Sequence, residues 1–214
     1  MTFLITAGPT REPIDPVRYM TNRSSGKMGY ALAKAAQQAG HRVILISGPT
    51  RIDVPEGVDF LPVETAEEMF RAVKIWITRA TVGIFAAAVA DYRMAEVPTQ
   101  KIKKTGDTLT LNLVKNPDIL GSAREQFGFH GTLVGFAAET ENLIENARKK
   151  LTSKGCDLIV ANDVSQPGVG FDSNENLVQL VYPGHEDSLP QATKEHLAVH
   201  IIEAVEDLHR AKNL

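Results

Sequence analysis

Lys101, Lys103 and Lys104 crowd the segment KIKK, and Asp91 precedes them at the end of the small-residue run 86–90. A carboxylate followed by clustered ammonium groups suits a Mg²⁺-bound polyphosphate, whose charge the lysines would offset. The small side chains of the run would let backbone approach a flat ligand closely. A solvated lysine face fits any one of these lysines taken singly. A second polar stretch, GPTREPIDPVRYMTNRSSGKMG (residues 8–29), follows a short apolar run. Within it Ser24, Ser25 and Gly26, followed by Lys27, stand where a helix should begin. Backbone N–H groups, hydroxyls and the positive end of the helix dipole would there meet an anion. Neither standard phosphate signature is present. There is no G-x-G-x-x-G, Thr21 stands where a P-loop needs its first glycine, and Met28 stands where Ser or Thr would hold Mg²⁺. Ser25 as a plain N-cap is an equal reading at this point.

Other reactive side chains carry less. Lys149, Lys150 and Lys154 fall at a helix carboxyl end, where dipole complementation alone would account for them. Cys156 precedes a buried strand with no evident partner and reads as inert packing. His41, His130, His185, His196, His200 and His209 lack metal-ligand spacing with a carboxylate helper. His196 and His200 share a helix face without an acidic third ligand in register, so they read as surface residues.

The elements that must position these residues alternate along the chain. Strands are predicted at 3–7, 42–47, 82–87, 132–136 and 157–161, and helices at 26–39, 66–79, 117–127, 143–153 and 194–210. Met28, Ala31, Leu32 and Ala35 share one face of the first helix, and Gly40 stops it. Thr65 with Glu68 forms a capping-box pattern, and Asn116-Pro117 offers an N-cap and a first-turn proline. Such alternation implies a doubly wound α/β fold, a mainly parallel, Rossmann-like sheet with helices on both faces. The polar–apolar alternation of 108–114 predicts a half-exposed strand in a small antiparallel flap, and 176–182 a late strand. Ligands of such a fold sit beyond the carboxyl ends of the strands. The polar stretches after the predicted strands, including AAETEN and NDVSQPGVGFDSNEN, converge there.

The composition sets limits. The 214 residues fit one large domain, and a net charge of -3 gives no basic excess for nucleic acid. No apolar run reaches the length of a membrane span, and one cysteine excludes an internal disulfide framework. The N-terminal residues read directly as a strand, so the expected location is the cytoplasm.

The segments ITAGPTREPIDPVRYMTNRSSGKMG, AAAVADYR, KIKK, NPDIL, VGFAAET and DLIVANDVS resemble, in that order, the phosphopantothenoylcysteine synthetase family of coenzyme A biosynthesis in its bacterial, CTP-using form. They span nearly the whole chain. In many bacteria such a domain follows a flavin-containing decarboxylase in one polypeptide. The resemblance implies a single ligase domain over residues 1–214 with 4′-phosphopantothenate, L-cysteine and CTP as substrates. The carboxylate of the first would attack the α-phosphate of CTP, releasing pyrophosphate, and the cysteine amine would then displace CMP from the acyl-cytidylate. By position, Asn22 would contact the reacting acyl group and Lys101 would be needed to form the intermediate. Phe85 (by backbone), Asp91, Lys101, Pro117, Asp118, Ile119, Leu120, Phe136, Lys150 and Lys154 would bind the nucleotide. Ala87 and Ala88 would offer backbone to the acyl substrate, and Ser24, Ser25, Gly26 and Lys27 a phosphate-binding helix start. Mg²⁺ would be held mostly through the triphosphate, with no protein ligand assigned. A homodimer is implied, with the flap and late strand near the partner. Pro9 stands where the family commonly has glycine, and Arg23 where it can have histidine.

Two other functions fit parts of the chain. A short-chain NAD(P)H oxidoreductase would share the alternating pattern, but needs a Tyr-x-x-x-Lys pair that Tyr19, Tyr30, Tyr92 and Tyr182 do not supply. A non-catalytic nucleotide-binding module would need neither Asn22 nor Lys101.

Overall fold

Residues Thr2–Ala7 (β1) alternate between two cores: Phe3, Ile5 and Ala7 pack on one side and Leu4 on the other. That double burial marks an interior strand of a sheet covered on both faces. The computed structural model describes residues 1–104, 106–139, 141–163 and 173–213. After β1 come β2 (Arg11–Pro13), β3 (Tyr19–Thr21), α1 (Lys27–Gln38), β4 (Arg42–Ser47), β5 (Asp59–Pro62) and α2 (Ala66–Trp76). Then follow β6 (Val82–Phe85), β7 (Tyr92–Met94), β8 (Leu113–Lys115), α3 (Ile119–Glu125), β9 (Thr132–Glu139) and α4 (Leu143–Ser153). The described chain closes with β10 (Leu158–Asp163), β11 (Glu175–Asn176), β12 (Val178–Val181), β13 (Glu186–Ser188), β14 (Ala192–Thr193) and α5 (Lys194–Lys212).

The main sheet runs β13-β12-β10-β9-β6-β1-β4-β5. β5, β4, β1, β6, β9 and β10 are parallel, and β12 and β13 extend the sheet antiparallel. The parallel part carries the doubly wound strand order, which reverses between β1 and β6 and opens a crevice at their carboxyl ends. α1 and α5 cover one face through Leu32, Ala36, Leu197 and Ile201. α2, α3 and α4 cover the other through Met69, Val73, Leu120, Ala147 and Leu151. Gly29 lets α1 settle onto β1, since a Cβ there would lie 2.5 Å from that of Ala7.

The long segment after β1 folds as a hairpin, with β2 pairing antiparallel to β3. Arg11 stacks on Tyr19 across the pair, its guanidinium carbon 4.7 Å from the ring centroid. Glu12 is buried and accepts the Ala66 N–H at 2.9 Å, placing a carboxylate at the positive end of α2. The capping box on α2 forms as the sequence indicates, through Thr65 and Glu68.

Several boundaries differ from expectation. α1 begins at Lys27, and its cap is Gly26 in the left-handed region at φ 82 rather than Ser25, with no side chain capping the end. Asp118, not Asn116, caps α3 by accepting the Gly121 N–H, which leaves Pro117 before the helix. The Asn116 amide instead donates to the Ala90 carbonyl at 2.8 Å, a bond between loops that local spacing does not reveal. Of the predicted strand 108–114 only the end pairs as a strand, β8 against Tyr92–Met94 of β7. The late strand divides into β11 and β12, which join different sheets. The glycine-rich stretch after β10 falls mostly on residues 164–172, outside the described residues.

Candidate active site

At the strand-order reversal the loops leaving β1 and β6 are stitched together. The Ala88 N–H donates to the Gly8 carbonyl at 2.9 Å, the Thr10 N–H to the Ala88 carbonyl at 3.2 Å, and the Ala90 N–H to the Thr10 hydroxyl at 3.0 Å. The Thr21 hydroxyl donates to the Thr10 carbonyl at 2.7 Å, bringing the end of the hairpin back over the crevice. Asn22 follows, exposed, with its Nδ2 donating to the Ala88 carbonyl at 2.9 Å. A polar hairpin is therefore held against the small-residue run by backbone groups that only small side chains leave accessible.

Two clefts flank this junction. The larger, about 500 Å³, is walled by Phe85, Met69, Ile119, Leu120 and Phe136, with Asp91, Lys115, Asn116, Pro117, Asp118, Lys150 and Lys154 at its polar side. The Lys150 ammonium donates to the Phe136 carbonyl at 2.7 Å. Burial holds its pKa below the ordinary lysine value, opposed by Glu139 and Asp118. Lys154 is paired with Asp118. Burial raises the Asp118 pKa, but the Lys154 hydrogen bond, the Gly121 N–H and the two lysine charges outweigh it, so the group lies below its usual range. The smaller cleft, about 240 Å³, is lined by Ser24, Ser25, Gly26 and Lys27 at the start of α1, by Ala86–Val89, and by Asn162, Asn176 and Lys194. Ala87, Val89, Phe136 and Lys150 line both. Apolar walls, backbone edges and cations in the larger cleft can take a flat base with phosphates. The donor-rich smaller cleft can take a second anion.

The sequence-derived candidates thus fall into groups. Phe85, Asp91, Pro117, Asp118, Ile119, Leu120, Phe136, Lys150 and Lys154 come together in the larger cleft. Ser24, Ser25, Gly26, Lys27, Ala87 and Ala88 line the smaller one. Asn22 lines a neighbouring recess with Arg11, Tyr19 and Thr50. Lys101 is exposed and lies outside the linings of both clefts. Its segment is nonetheless tethered. Buried Asp15 accepts the Ile102 N–H at 3.1 Å, the Val17 and Arg18 N–H groups at 2.9 Å and the Arg18 guanidinium at 2.6 Å. The Arg18 guanidinium beside it and these N–H bonds hold its carboxyl well below the usual range against burial. Asn162, Asn176 and Lys194 escape notice in the sequence because pairing between distant segments, β10 with β12 and β11 with β14, places them together. The signal available was the position of Asn162 at the carboxyl end of a strand. Cys156 is buried and its thiol is pushed up to about 12 by burial, in line with inert packing.

The Asp118 shift has a testable sign. A carboxyl depressed in the folded protein contributes stability above the unfolded carboxylate range and loses it as pH falls through the lower folded value. Asp118→Asn should therefore melt below wild type by a constant margin from about pH 5 to 8, and the gap should close in acid below roughly pH 4. Thermal melts across that range check this. A gap that widens in acid would contradict the assignment.

In a doubly wound α/β domain ligands bind beyond the carboxyl ends of the strands at the strand-order reversal, and the paired polar clefts lie there. The chain belongs to the DNA/pantothenate metabolism flavoprotein C-terminal domain family, whose model matches residues 1–208. It is 48% identical over 209 residues to the coenzyme A biosynthesis bifunctional protein CoaBC of Vibrio vulnificus (strain YJ016), covering 97% of this chain and 52% of that protein. It thus spans about half the length of the curated relatives it matches. The crystal structure of the C-terminal domain of a coenzyme A biosynthesis bifunctional protein CoaBC superposes with a TM-score of 0.82 at 42% identity, covering 97% of this chain and 94% of that one. The DNA/pantothenate metabolism flavoprotein from Streptococcus pneumoniae superposes with a TM-score of 0.83 at 26% identity, covering 98% of this chain and all of that one.

Proposed function

We propose that the chain is a phosphopantothenate–cysteine ligase domain of coenzyme A biosynthesis that uses CTP. The observation carrying this reading is the pair of adjoining clefts that share Ala87, Val89, Phe136 and Lys150 as a common wall. A ligation through an acyl-nucleotide needs a nucleotide and an acid side by side, with the reacting atoms where the two sites meet. The larger cleft holds CTP, with the cytosine edge toward the backbone of Phe85 and of the 117–120 turn and the phosphates toward Lys150 and Lys154. The smaller holds 4′-phosphopantothenate, its phosphate at Ser24–Lys27.

The carboxylate oxygen attacks the α-phosphorus, and the bond to the β-phosphate oxygen breaks with loss of pyrophosphate. The cysteine nitrogen then bonds to the acyl carbon and gives up a proton as CMP leaves. Lys101 and Lys150 offset charge in the first step, and the Asn22 amide donates toward the acyl oxygen in the second. Asp91, at the polar side of the larger cleft, would stand near a Mg²⁺ carried by the triphosphate, and the ion would offset phosphate charge there. No cluster of three metal-ligating side chains occurs among the described residues. Exposed Val17, Tyr19, Tyr92, Val97, Leu113 and Val114 on the hairpin and flap support a homodimer joined through that side. No helix among the described residues is long and apolar enough to cross a membrane. We place the reaction in the cytoplasm, with its water-soluble substrates.

Incubation with 4′-phosphopantothenate, cysteine, Mg²⁺ and either CTP or ATP tests the reading. 4′-Phosphopantothenoylcysteine should accumulate together with CMP from CTP, faster than it does with AMP from ATP. Equal turnover with ATP would remove the base preference, and absence of the amide product with either nucleotide would overturn the ligase reading.

A further inference from the structure

Asn162 ends the buried part of β10, is 8% exposed and lines the smaller cleft. Its Oδ1 has no hydrogen-bond partner among the described residues. A buried acceptor left unpaired is costly, and such a group in a native fold calls for an explanation. The surroundings supply one. Lys27, Lys150, Lys194 and the serines at the start of α1 make the cleft rich in donors and positive charge. That lining selects an anion, yet a phosphate dianion or a carboxylate only accepts hydrogen bonds and would leave Oδ1 unsatisfied. A ligand that satisfies the whole cleft is an anion that also carries a neutral O–H or N–H donor.

We infer that Asn162 is a specificity-determining residue whose Oδ1 accepts a hydrogen bond from a neutral donor of the acyl substrate, its hydroxyl or its amide N–H. This rests on the ligase reading, in which 4′-phosphopantothenate occupies the cleft. That molecule carries a hydroxyl and an amide N–H between its phosphate and its carboxylate. The ammonium of cysteine is a donor too, but a cation is disfavoured in a cleft that already holds three lysines. Asn162 therefore reads the backbone of the acid, while the helix start and lysines hold its charge.

The experiment compares wild type with Asn162→Leu, which keeps the side-chain shape and deletes the acceptor. KM and the calorimetric Kd for 4′-phosphopantothenate should rise about 10- to 100-fold, with KM for CTP and cysteine within about twofold of wild type. Two analogues, one lacking the hydroxyl and one methylated on the amide nitrogen, identify the donor. One of them should lose a similar factor on wild type and lose nothing further on Asn162→Leu. The wild-type analogue series needs no variant to fold. Unchanged affinity in Asn162→Leu, a raised cysteine KM, or analogues that match the parent on wild type would each overturn the inference. Wild type that binds 4′-phosphopantothenate without forming amide would refute the ligase reading alone, leaving the Kd ratio to decide on Asn162. Wild type that does neither would refute both.

Discussion

Lys101→Gln should release pyrophosphate about 100- to 1000-fold more slowly than wild type, the loss expected when one charge contact worth roughly 2–4 kcal/mol is removed from a phosphoryl-transfer transition state. The side chain is exposed, and such lysines are often mere solvated surface. What sets this one apart is the anchoring of its neighbour. Ile102 is bonded through its N–H to Asp15 and through its carbonyl, at 3.3 Å, to the Arg18 guanidinium. Buried Asp15 thus ties the lysine segment to the hairpin that leads into Asn22, and in the proposed reaction it would position Lys101. Asp15→Asn keeps one acceptor oxygen but loses the charge facing Arg18, and should slow the same step by about tenfold, with KM for cysteine unchanged. Rapid-quench measurement of pyrophosphate reads both variants. Wild-type rates in Lys101→Gln would reduce KIKK to a surface feature.

Asn22→Asp should consume one equivalent of CTP per site and then stall with bound 4′-phosphopantothenoyl-cytidylate. The wild-type amide donates to the Ala88 carbonyl at 2.9 Å, which holds it beside the shared wall of the clefts. An aspartate of the same shape cannot donate, and its charge opposes the negative charge that grows on the acyl oxygen as cysteine attacks. The first step relies on lysines instead and should suffer little. The second should slow by about two to three decades, the usual effect of losing an oxyanion donor. Mass spectrometry of the quenched protein detects the trapped intermediate. Amide formation at the wild-type rate would make Asn22 only a turn residue.

The fold was legible where one signal dominates. Buried strands such as β1 and β4 read as continuous apolar runs, and α1 and α2 carry clear helical periodicity. The short elements were not legible, because their stability comes from partners rather than from their own sequence. β5 pairs only by lying beside β4, and β2 and β3 exist as a hairpin whose turn is organised by Asp15. Caps misled in two places for one reason: Ser25 and Asn116 have the right chemistry for a helix start, but Gly26 and Asp118 occupy the cap positions. The larger cleft was legible chiefly through the family resemblance, since local signals alone gave Pro117 as a helix start and Lys150 and Lys154 as helix-end charges. Asn162 and Lys194 were not, because it is the pairing of β12 with β10 and of β14 with β11 that brings the end of β10 and the start of α5 to one cleft.

In the proposed reaction two adjoining clefts activate an acid with a nucleotide before any amine is needed. The direct measurement is pyrophosphate release by wild type given 4′-phosphopantothenate, CTP and Mg²⁺ with cysteine withheld. A rapid burst of about one pyrophosphate per site should appear and stop, and added cysteine should discharge it as 4′-phosphopantothenoylcysteine and CMP. No pyrophosphate until cysteine is added, or steady CTP hydrolysis without the acid, would contradict it.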